Sequence, residues 1–142
     1  MRFDESVGAV VFKGSKFLVL EYSAGHWDFV KGHIEGSETN SETLMRELFE
    51  ETGITDAVII PGFSEVIGYY FRDKVLVSKK VTFLLVKSAS DKVVLSDEHT
   101  GYAWLSYDEA VKRLTFETAR NVLRKAKDFL ELSERQSERS EA

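Results

Sequence analysis

The chain has 142 residues, of which 43% are hydrophobic and 12% aromatic, which suits one domain with a buried core. It has no cysteine, and this excludes disulfide bonds, thiol nucleophiles and zinc–thiolate sites. The net charge of −5 argues against non-specific nucleic-acid binding, because such binding depends on neutralising phosphates. The start of the chain lacks a secretory pattern and no apolar run is long enough to span a bilayer, so we expect a soluble cytoplasmic protein without membrane partners.

The first third of the chain predicts a β-hairpin, an extended segment and a helix. Apolar patterning gives four elements: strands over 6–12 and 17–20, an extended piece over 27–32 and a helix over 42–52. A turn is expected at Gly14, and the polar, glycine-rich stretch 32–41 is expected to be a loop. In the helix, Leu44 and Leu48 lie four residues apart and form the buried stripe, and Gly53 is a natural terminator.

The rest of the chain predicts further strands followed by two helices. The same patterns give strands over 57–71, 75–87 and 101–105, and helices over 107–114 and 117–132. Residues 72–74 are expected to join the first two of these strands. Residues 133–142 are charged and poor in apolar side chains, so they predict a frayed or disordered tail beyond a single domain over 1–132. The expected fold class is α/β or α+β, a mixed sheet with helices packed against it.

The most informative feature is a set of three glutamates on one face of the first predicted helix. Glu47, Glu50 and Glu51 fall at i, i+3 and i+4, where like charges destabilise an isolated helix by roughly a few tenths of a kcal/mol per pair. A solvated acidic surface is the ordinary explanation for such a face. A divalent cation is the alternative, because Mg²⁺ and Mn²⁺ prefer oxygen ligands. Arg46 lies beside the cluster and could clamp Glu38 or Glu47 with its fork of N–H groups.

The spacing around these glutamates resembles the signature of the Nudix hydrolase family. That signature is a glycine, five residues, a glutamate, seven residues, Arg-Glu, an aliphatic residue, one residue, Glu-Glu, one residue, a glycine and an aliphatic residue. All nine constrained positions are satisfied over 23 residues, by Gly32, Glu38, Arg46, Glu47, Leu48, Glu50, Glu51, Gly53 and Ile54. The match is far more specific than a short glycine motif. It implies a Nudix-type α/β/α sandwich with a mixed β-sheet.

The resemblance also implies a metal site in a loop–helix–loop. Glu50 and Glu51 would bind Mg²⁺, for which Mn²⁺ could substitute, together with the backbone carbonyl of Gly32. Glu47 would be a further metal ligand or the base that activates water. The number of metal ions and the identity of the base stay open at this point.

The implied reaction is attack of water on a phosphorus of a linear phosphoanhydride, with a phosphate as the leaving group. Magnesium would neutralise phosphate oxygens and lower the pKa of water, and a carboxylate with a raised pKa would take the proton. The expected catalytic residues are Arg46, Glu47, Glu51 and Glu98, of which Arg46 would orient the carboxylates. Glu38 would support that arrangement, and Glu98 would act as the base or as a metal ligand from outside the helix.

Stretches outside the signature resemble one Nudix branch, the asymmetric diadenosine tetraphosphate hydrolases. The matching stretches are His26-Trp27, residues 31–35, Gly62-Phe63, Tyr69-Tyr70, Lys79-Lys80, residues 95–99, and Tyr102 with Trp104 and Leu105. This resemblance implies asymmetric cleavage of diadenosine tetraphosphate to ATP and AMP. Phe83 departs from it, because it lacks the hydroxyl of the tyrosine that the related enzymes often carry there.

A long polyphosphate substrate needs positive charge for its phosphates and flat surfaces for its bases. The basic candidates are Lys31, His33, Lys79 and Lys80. Phe83 and Tyr102 are candidates for stacking an adenine, which contributes about 1–3 kcal/mol per base. Phe83 is equally consistent with a place in the core, and Lys79 with Lys80 is equally consistent with solvated charges at a strand edge. Glu98 lies in a polar loop, and loops often carry functional residues.

Three other functions are consistent with parts of the sequence. A Nudix pyrophosphohydrolase could act on RNA 5′ ends, nucleoside triphosphates or ADP-ribose, although the acidic charge disfavours RNA. A non-catalytic nucleotide-binding module would be free to lose a carboxylate of the signature, and none is missing. A purely structural or interaction role has no support in the sequence. The oligomeric state is left open.

Overall fold

The computed structural model describes residues 1–141, with side chains described through Arg139. Within these residues the chain forms ten elements in a mixed order of strands and helices. Their bounds are β1 Arg2–Lys13, β2 Lys16–Tyr22, β3 Trp27–Asp28, β4 Val30–His33, α1 Asn40–Thr52, β5 Ala57–Asp73, β6 Val75–Ser88, β7 His99–Leu105, α2 Tyr107–Arg113 and α3 Glu117–Glu141. No helix among the described residues is long and apolar enough to cross a membrane.

Strand β1 is central to the sheet because it is covered on both faces. Its residues 6–12 are all buried, which is why the sequence there is an unbroken small and apolar run rather than an alternating one. One edge of β1 pairs with β6 in parallel, and the other pairs antiparallel with β4 and β2. The strand order is β3-β2-β1-β6-β5, with β4 beside β1 and β7 beside β2.

The two faces of the sheet carry two separate cores. On one face, Leu44 and Leu48 of α1 pack with apolar residues of β1 and β2. On the other face, Val122, Leu123 and Ala126 of α3 pack with residues of β1, β2 and β6. Helices therefore cover a mixed sheet on both sides, and the predicted α/β/α sandwich is confirmed.

The segment before α1 is shorter and more ordered than the sequence predicts. Residues 30–33 form strand β4, so the expected loop over 32–41 begins only after His33. The register places Gly32 opposite Val7 of β1. Strand β4 ends at His33 and α1 begins at Asn40, so the chain passes from the sheet to the glutamate helix within seven residues.

Helix α3 extends beyond residue 132, where the sequence analysis ends it. Helix α3 continues through residues 133–141, where the sequence analysis expects a frayed end. Glutamate, arginine and glutamine are good helix formers, so this stretch extends the helix even though residues 134–139 are exposed and bury no apolar surface. The last residue of the predicted tail, Ala142, lies outside the described residues.

Candidate active site

Two local signals fix the ends of α1 and therefore the positions of its glutamates. The Thr39 side chain accepts a hydrogen bond from the backbone N–H of Glu42, and the Glu42 side chain accepts one from the N–H of Thr39. At the other end, Gly53 has a φ of 74°, a left-handed conformation that glycine adopts without strain. Leu44 and Leu48 bury one side of the helix, which turns the glutamates toward the end of β4.

The three glutamates of the cluster differ sharply in exposure. The side chain of Glu50 is 54% exposed, that of Glu47 is 15% exposed, and that of Glu51 is 4% exposed. The helix therefore does not present a uniform acidic surface to water. The explanation as a solvated face fails for Glu51, because burying a carboxylate without a compensating partner is costly.

Arg46 is the internal cation of the cluster. Its Nε and Nη2 donate to the two carboxylate oxygens of Glu38 at 2.7 and 3.0 Å, a two-pronged pair of the kind the sequence suggests. Its Nη1 reaches Glu47 at 2.8 Å and Glu50 at 3.2 Å. Its Nη2 also donates to the backbone carbonyl of His33 at 3.0 Å. One guanidinium thus ties the loop before α1 to the acidic face of the helix.

Glu38 is held as a firm anion by these contacts. The hydrogen bond from Arg46, helped by those from the Glu35 N–H and the Thr43 hydroxyl, lowers the pKa of Glu38 to about 2. The same pairing raises the pKa of Arg46 further above its usual range. Glu38 therefore anchors the guanidinium, which in turn is oriented toward Glu47 and Glu50.

Gly32 lies against the carboxylate of Glu47. A Cβ atom added at Gly32 would come within 2.0 Å of the Glu47 Cδ atom, closer than any side chain tolerates. Only glycine leaves room for the carboxylate to approach the backbone of β4 in this way. The close approach puts the carboxylate oxygens of Glu47 beside the backbone of β4.

Glu51 has the opposite environment to Glu38. Neither of its oxygens has a hydrogen-bond partner among the described residues, although His99 Nε2 lies 3.1 Å from Oε1, within ion-pair distance. Burial raises the pKa of Glu51 to about 7, and the interaction with His99 partly offsets that rise. A buried carboxylate without hydrogen bonds is a group that an added cation would stabilise strongly.

The donor set fits a divalent cation with hard, oxygen-seeking character. Glu51 supplies unpartnered buried oxygens, and the glycine cradle brings Glu47 close to the backbone. Within the described part of the chain, no three histidine or acidic side chains are already gathered as metal ligands. Magnesium does not need such a cage, since it often takes one or two carboxylates and fills its remaining positions with water and phosphate oxygens.

A cavity of about 690 Å³ opens over this face of α1. Eight of the residues singled out by the sequence line it: Lys31, Gly32, His33, Glu47, Glu50, Glu51, Lys79 and Glu98. The acidic residues come from the helix and from the loop that precedes β7, whereas the basic residues come from β4 and β6. The cavity therefore places carboxylates opposite ammonium and imidazole groups, a distribution suited to a metal–polyphosphate ligand.

The basic side of the cavity is built on β4 and β6, the two strands that flank β1. Lys79 Nζ donates to Ser6 Oγ at 2.7 Å and lies 3.1 Å from His33 Nε2. Partial burial lowers the pKa of Lys79. Lys31 Nζ donates to the buried carboxylate of Asp28 at 3.0 Å. These contacts hold the basic groups at the wall of the cavity.

A second, more apolar cavity of about 340 Å³ adjoins the first. The two cavities share Lys31 and Tyr69 in their linings. The second is walled by Ile67, Phe83 and Phe116, with the remaining lining from Asp28, Thr118 and Ala119. A polar cavity thus continues into an apolar one, which suits a ligand with a charged chain and a flat ring.

A comparison with models of protein families identifies the family to which the chain belongs. The model described as the NUDIX domain matches residues 2–126. The chain belongs to the NUDIX domain family. The resemblance seen in the sequence is thereby confirmed over nearly all of the elements that build the two cavities.

Relatives of this NUDIX domain protein include proteins with two different named activities. The chain is 37% identical to the asymmetrical bis(5′-nucleosyl)-tetraphosphatase of Rattus norvegicus, over 81% of this chain and 80% of that protein. It is 28% identical to an RNA pyrophosphohydrolase of Vibrio vulnificus, over 90% of this chain and 85% of that protein. A crystal structure of a C. elegans Ap4A hydrolase binary complex superposes with a TM-score of 0.81 at 29% identity, covering 89% of this chain and 97% of that one.

Three predicted substrate contacts of this NUDIX domain do not lie in the main cavity. Lys80 follows Lys79 on the same strand, so its side chain points to the opposite face of the sheet and is exposed. Phe83 is 2% exposed and belongs to the core, with part of its surface on the second cavity. Tyr102 lies on β7, is 43% exposed and lines neither cavity. The structure therefore does not bring Lys80 and Tyr102 to either cavity, and it places Phe83 beside the apolar cavity alone.

The structure adds residues that the sequence analysis did not select. Tyr22, Ser96 and Asp97 line the main cavity, and Phe116 lines the second. Tyr22 is at the end of β2 and Phe116 precedes α3, so neither is near the signature in sequence. No local pattern distinguishes them from core aromatics, and only the meeting of β2, β4 and the α2–α3 connection brings them to the site.

Proposed function

We propose that this protein is a magnesium-dependent hydrolase that cleaves diadenosine tetraphosphate asymmetrically to ATP and AMP. The observation that carries the proposal is the cavity in which the buried, unpartnered carboxylate of Glu51 faces the basic wall formed by Lys31, His33 and Lys79. The relatives named bis(5′-nucleosyl)-tetraphosphatase support the same reaction class.

The proposed cation would be held by Glu51, Glu50 and Glu47, with the backbone carbonyl of Gly32 as a further oxygen. Magnesium, when bound, supplies charge neutralisation at the phosphate oxygens and makes water a stronger acid. Manganese, with similar ligand preferences, is the expected substitute. Arg46 keeps the carboxylates of Glu47 and Glu50 oriented, since its Nη1 contacts both of them.

The chain's own residues account for the remaining steps of hydrolysis. Lys31 and Lys79 bind and neutralise the polyphosphate, and His33 lies within hydrogen-bond reach of Lys79. A carboxylate takes the proton from the attacking water as the oxygen–phosphorus bond forms, and the bond to the leaving phosphate oxygen breaks. Glu47, Glu51 and Glu98 are the candidates for that base, because all three line the cavity.

The two adjoining cavities favour a substrate with a nucleoside at a distance from the reacting phosphorus. The apolar cavity of about 340 Å³ offers Phe83, Phe116 and Ile67 to a flat ring, next to Lys31 and Tyr69. Base–aromatic contacts of this kind contribute about 1–3 kcal/mol. A nucleotide whose chain of phosphates spans the polar cavity would use both volumes, whereas pyrophosphate alone would use one.

Hydrolysis of RNA 5′ ends is the second candidate function. It is favoured by relatives named RNA pyrophosphohydrolase, one of which is 28% identical over 90% of this chain. The net charge of −5 disfavours it, because RNA binding depends on neutralising many phosphates.

We further propose that the protein acts in the cytoplasm. Cell fractionation, with an antibody to this chain to detect it, tests this proposal.

A substrate panel with Mg²⁺ tests the proposal directly. Diadenosine tetraphosphate, ATP, ADP-ribose and 5′-triphosphorylated RNA are offered at equal concentration, and products are separated by chromatography. We expect ATP and AMP in equal amounts from diadenosine tetraphosphate, at a higher kcat/KM than for the other three. Preference for RNA or ADP-ribose would overturn the substrate, and failure to hydrolyse any phosphoanhydride would overturn the reaction class.

Adjacent lysines on β6 provide a matched pair for the substrate site. Lys79 lines the cavity and Lys80 points away from it. Lys79→Ala is expected to raise KM for diadenosine tetraphosphate by about tenfold, since removing one charged contact costs about 1.5 kcal/mol. Lys80→Ala removes the same charge from the opposite face and is expected to leave KM within twofold. Equal effects of the two substitutions would contradict the proposed polyphosphate wall.

A further inference from the structure

The first residue of β7, directly after the loop that precedes this strand, is a buried histidine that contacts the buried Glu51 of α1. The His99 side chain is fully buried, and its Nε2 atom lies 3.1 Å from Glu51 Oε1. Its other ring nitrogen, Nδ1, lies 3.1 Å from Ser96 Oγ. A buried imidazole between a hydroxyl and a carboxylate has both ring nitrogens facing polar atoms, which core packing alone does not require.

The chemistry of these groups assigns a direction to the contacts. A serine hydroxyl can donate to Nδ1, which leaves the ring proton on Nε2, the nitrogen that lies 3.1 Å from Glu51 Oε1. The ring of Tyr22 lies edge-on against the imidazole, with centroids 4.4 Å apart, and limits its rotation. The Tyr22 hydroxyl itself donates to the backbone carbonyl of Phe29, so the tyrosine is anchored as well.

The loop that precedes β7 also carries Glu98, and backbone hydrogen bonds hold this loop at Glu98 and at Ser96. The backbone carbonyl of Glu98 accepts hydrogen bonds from the N–H and the hydroxyl of Ser23, at 3.1 and 2.9 Å. The N–H of Ser96 donates to the backbone carbonyl of Glu51 at 3.4 Å. Contacts through Ser96 and His99 therefore link the end of α1 to the loop on which Glu98 faces the cavity.

We propose that His99 is a positioning residue, which sets the Glu51 carboxylate toward the cavity and holds the Glu98 loop in register with it. The inference rests on the proposed function, because it takes Glu51 as a metal ligand. His99 itself is not among the residues that line the cavity. It acts as the hydrogen-bonding groups behind metal ligands do, by fixing the orientation of the ligand.

Two substitutions at His99 separate positioning from packing. His99→Phe keeps the ring and its volume but removes both nitrogens, whereas His99→Gln keeps an N–H donor near the place of Nε2. Thr100→Ala is the matched control, since Thr100 is exposed on the same strand and its hydroxyl contacts Glu21 away from the cavity. Each variant is titrated with Mn²⁺ by calorimetry without substrate, and kcat and KM are then measured with diadenosine tetraphosphate.

We expect His99→Phe to weaken Mn²⁺ binding by about tenfold or more, the range found when groups behind metal ligands are removed. It should also lower kcat while KM for the nucleotide stays within about twofold. His99→Gln should recover a large part of both losses, and Thr100→Ala should match the wild type. An unchanged Mn²⁺ affinity in His99→Phe, or no recovery in His99→Gln, would overturn the assignment.

Ser96→Ala keeps the inference testable if His99→Phe does not fold. It removes only the hydroxyl that faces Nδ1, so it should weaken Mn²⁺ binding by a few fold, and an affinity equal to that of the wild type would overturn the inference. Failure of the two proposals is distinguishable. A wild type that binds no Mn²⁺ and hydrolyses no nucleotide overturns the proposed function, whereas an active wild type with unaffected variants overturns the role of His99 alone.

Discussion

Two carboxylates of the signature, Glu38 and Glu51, show how differently one short segment treats the same functional group. Glu38 receives both prongs of the Arg46 guanidinium, and its pKa falls to about 2. Glu51 is buried without a hydrogen bond, and its pKa rises to about 7. They lie 13 residues apart in the chain. The difference comes from the partners, because both side chains begin with the same intrinsic acidity.

The contrast indicates a division of labour within the acidic cluster. Arg46 supplies the positive charge for Glu38, Glu47 and Glu50, so these side chains are ordered by the protein alone. Among the described residues, the imidazole of His99 is the one basic group at ion-pair distance from Glu51, so this carboxylate has less positive charge beside it than Glu38 has. The three ordered carboxylates therefore give the site its shape, whereas Glu51 gives it an affinity for an added cation. Each prediction below changes one side of this contrast.

Glu51→Gln should have the largest effect, because it removes the charge and leaves the shape. We expect turnover of diadenosine tetraphosphate to fall at least about a hundredfold, with Mn²⁺ affinity falling in parallel. Folding should be unaffected or improved, since a buried carboxylate without a hydrogen bond is replaced by a neutral amide. Steady-state kinetics and calorimetry measure both quantities. Glu131→Gln on α3 is the control for loss of one negative charge, and activity surviving in Glu51→Gln would refute the metal assignment.

Arg46→Lys tests the carboxylates that Arg46 orders, which are the counterpart of Glu51 in this contrast. A lysine keeps the charge but loses the fork, so it cannot donate to both oxygens of Glu38 while also contacting Glu47 and Glu50. We expect kcat to fall by about tenfold, because the carboxylates that need orientation lose it. The same substitution at the exposed Arg124 should leave kcat unchanged. Equal activity of Arg46→Lys and wild type would show that the fork has no part in arranging the site.

The buried glutamate also predicts how stability depends on pH in metal-free protein. The folded pKa of Glu51 is raised to about 7, so its contribution is fully present below the ordinary value of 4.5 and is lost as pH rises through 7. Over that window wild type should lose on the order of 2 kcal/mol relative to Glu51→Gln. Urea unfolding in chelator at pH 4.5, 6 and 7.5 measures the difference. A difference that stays constant with pH would refute the raised pKa, and added Mn²⁺ should reverse the loss in wild type.

The glutamate helix could be predicted from sequence because its information is local. The i, i+3 and i+4 spacing of Glu47, Glu50 and Glu51, the caps at either end and the apolar stripe all lie within 15 residues, 39–53. A helix of known period places such side chains on one face without reference to the rest of the fold. The difference in burial between Glu50 and Glu51 could not be read from the same pattern, because it depends on the loop bearing His99.

The substrate side was harder to predict because its residues come from strands that meet only in the folded sheet. Neighbours on a strand point to opposite faces, so Lys79 lines the cavity and Lys80 does not. Nothing in the sequence tells which side of β7 faces the site, and Tyr102 lines neither cavity. Helix α3 extends beyond residue 132 because good helix formers lengthen a helix even without apolar burial.

Glu38→Gln should have the smallest effect and the opposite dependence on pH. The amide oxygen can still accept one hydrogen bond from Arg46, so kcat should fall only about threefold, less than in Arg46→Lys. The folded pKa of Glu38 is lowered to about 2, so its contribution to stability is present above 4.5 and is lost as pH falls through 2. Urea midpoints of wild type and variant should therefore converge between pH 5 and pH 2. If instead wild type loses stability relative to Glu38→Gln as pH rises, the direction predicted for Glu51, then the two carboxylates do not have the contrasting partners on which the proposed site depends.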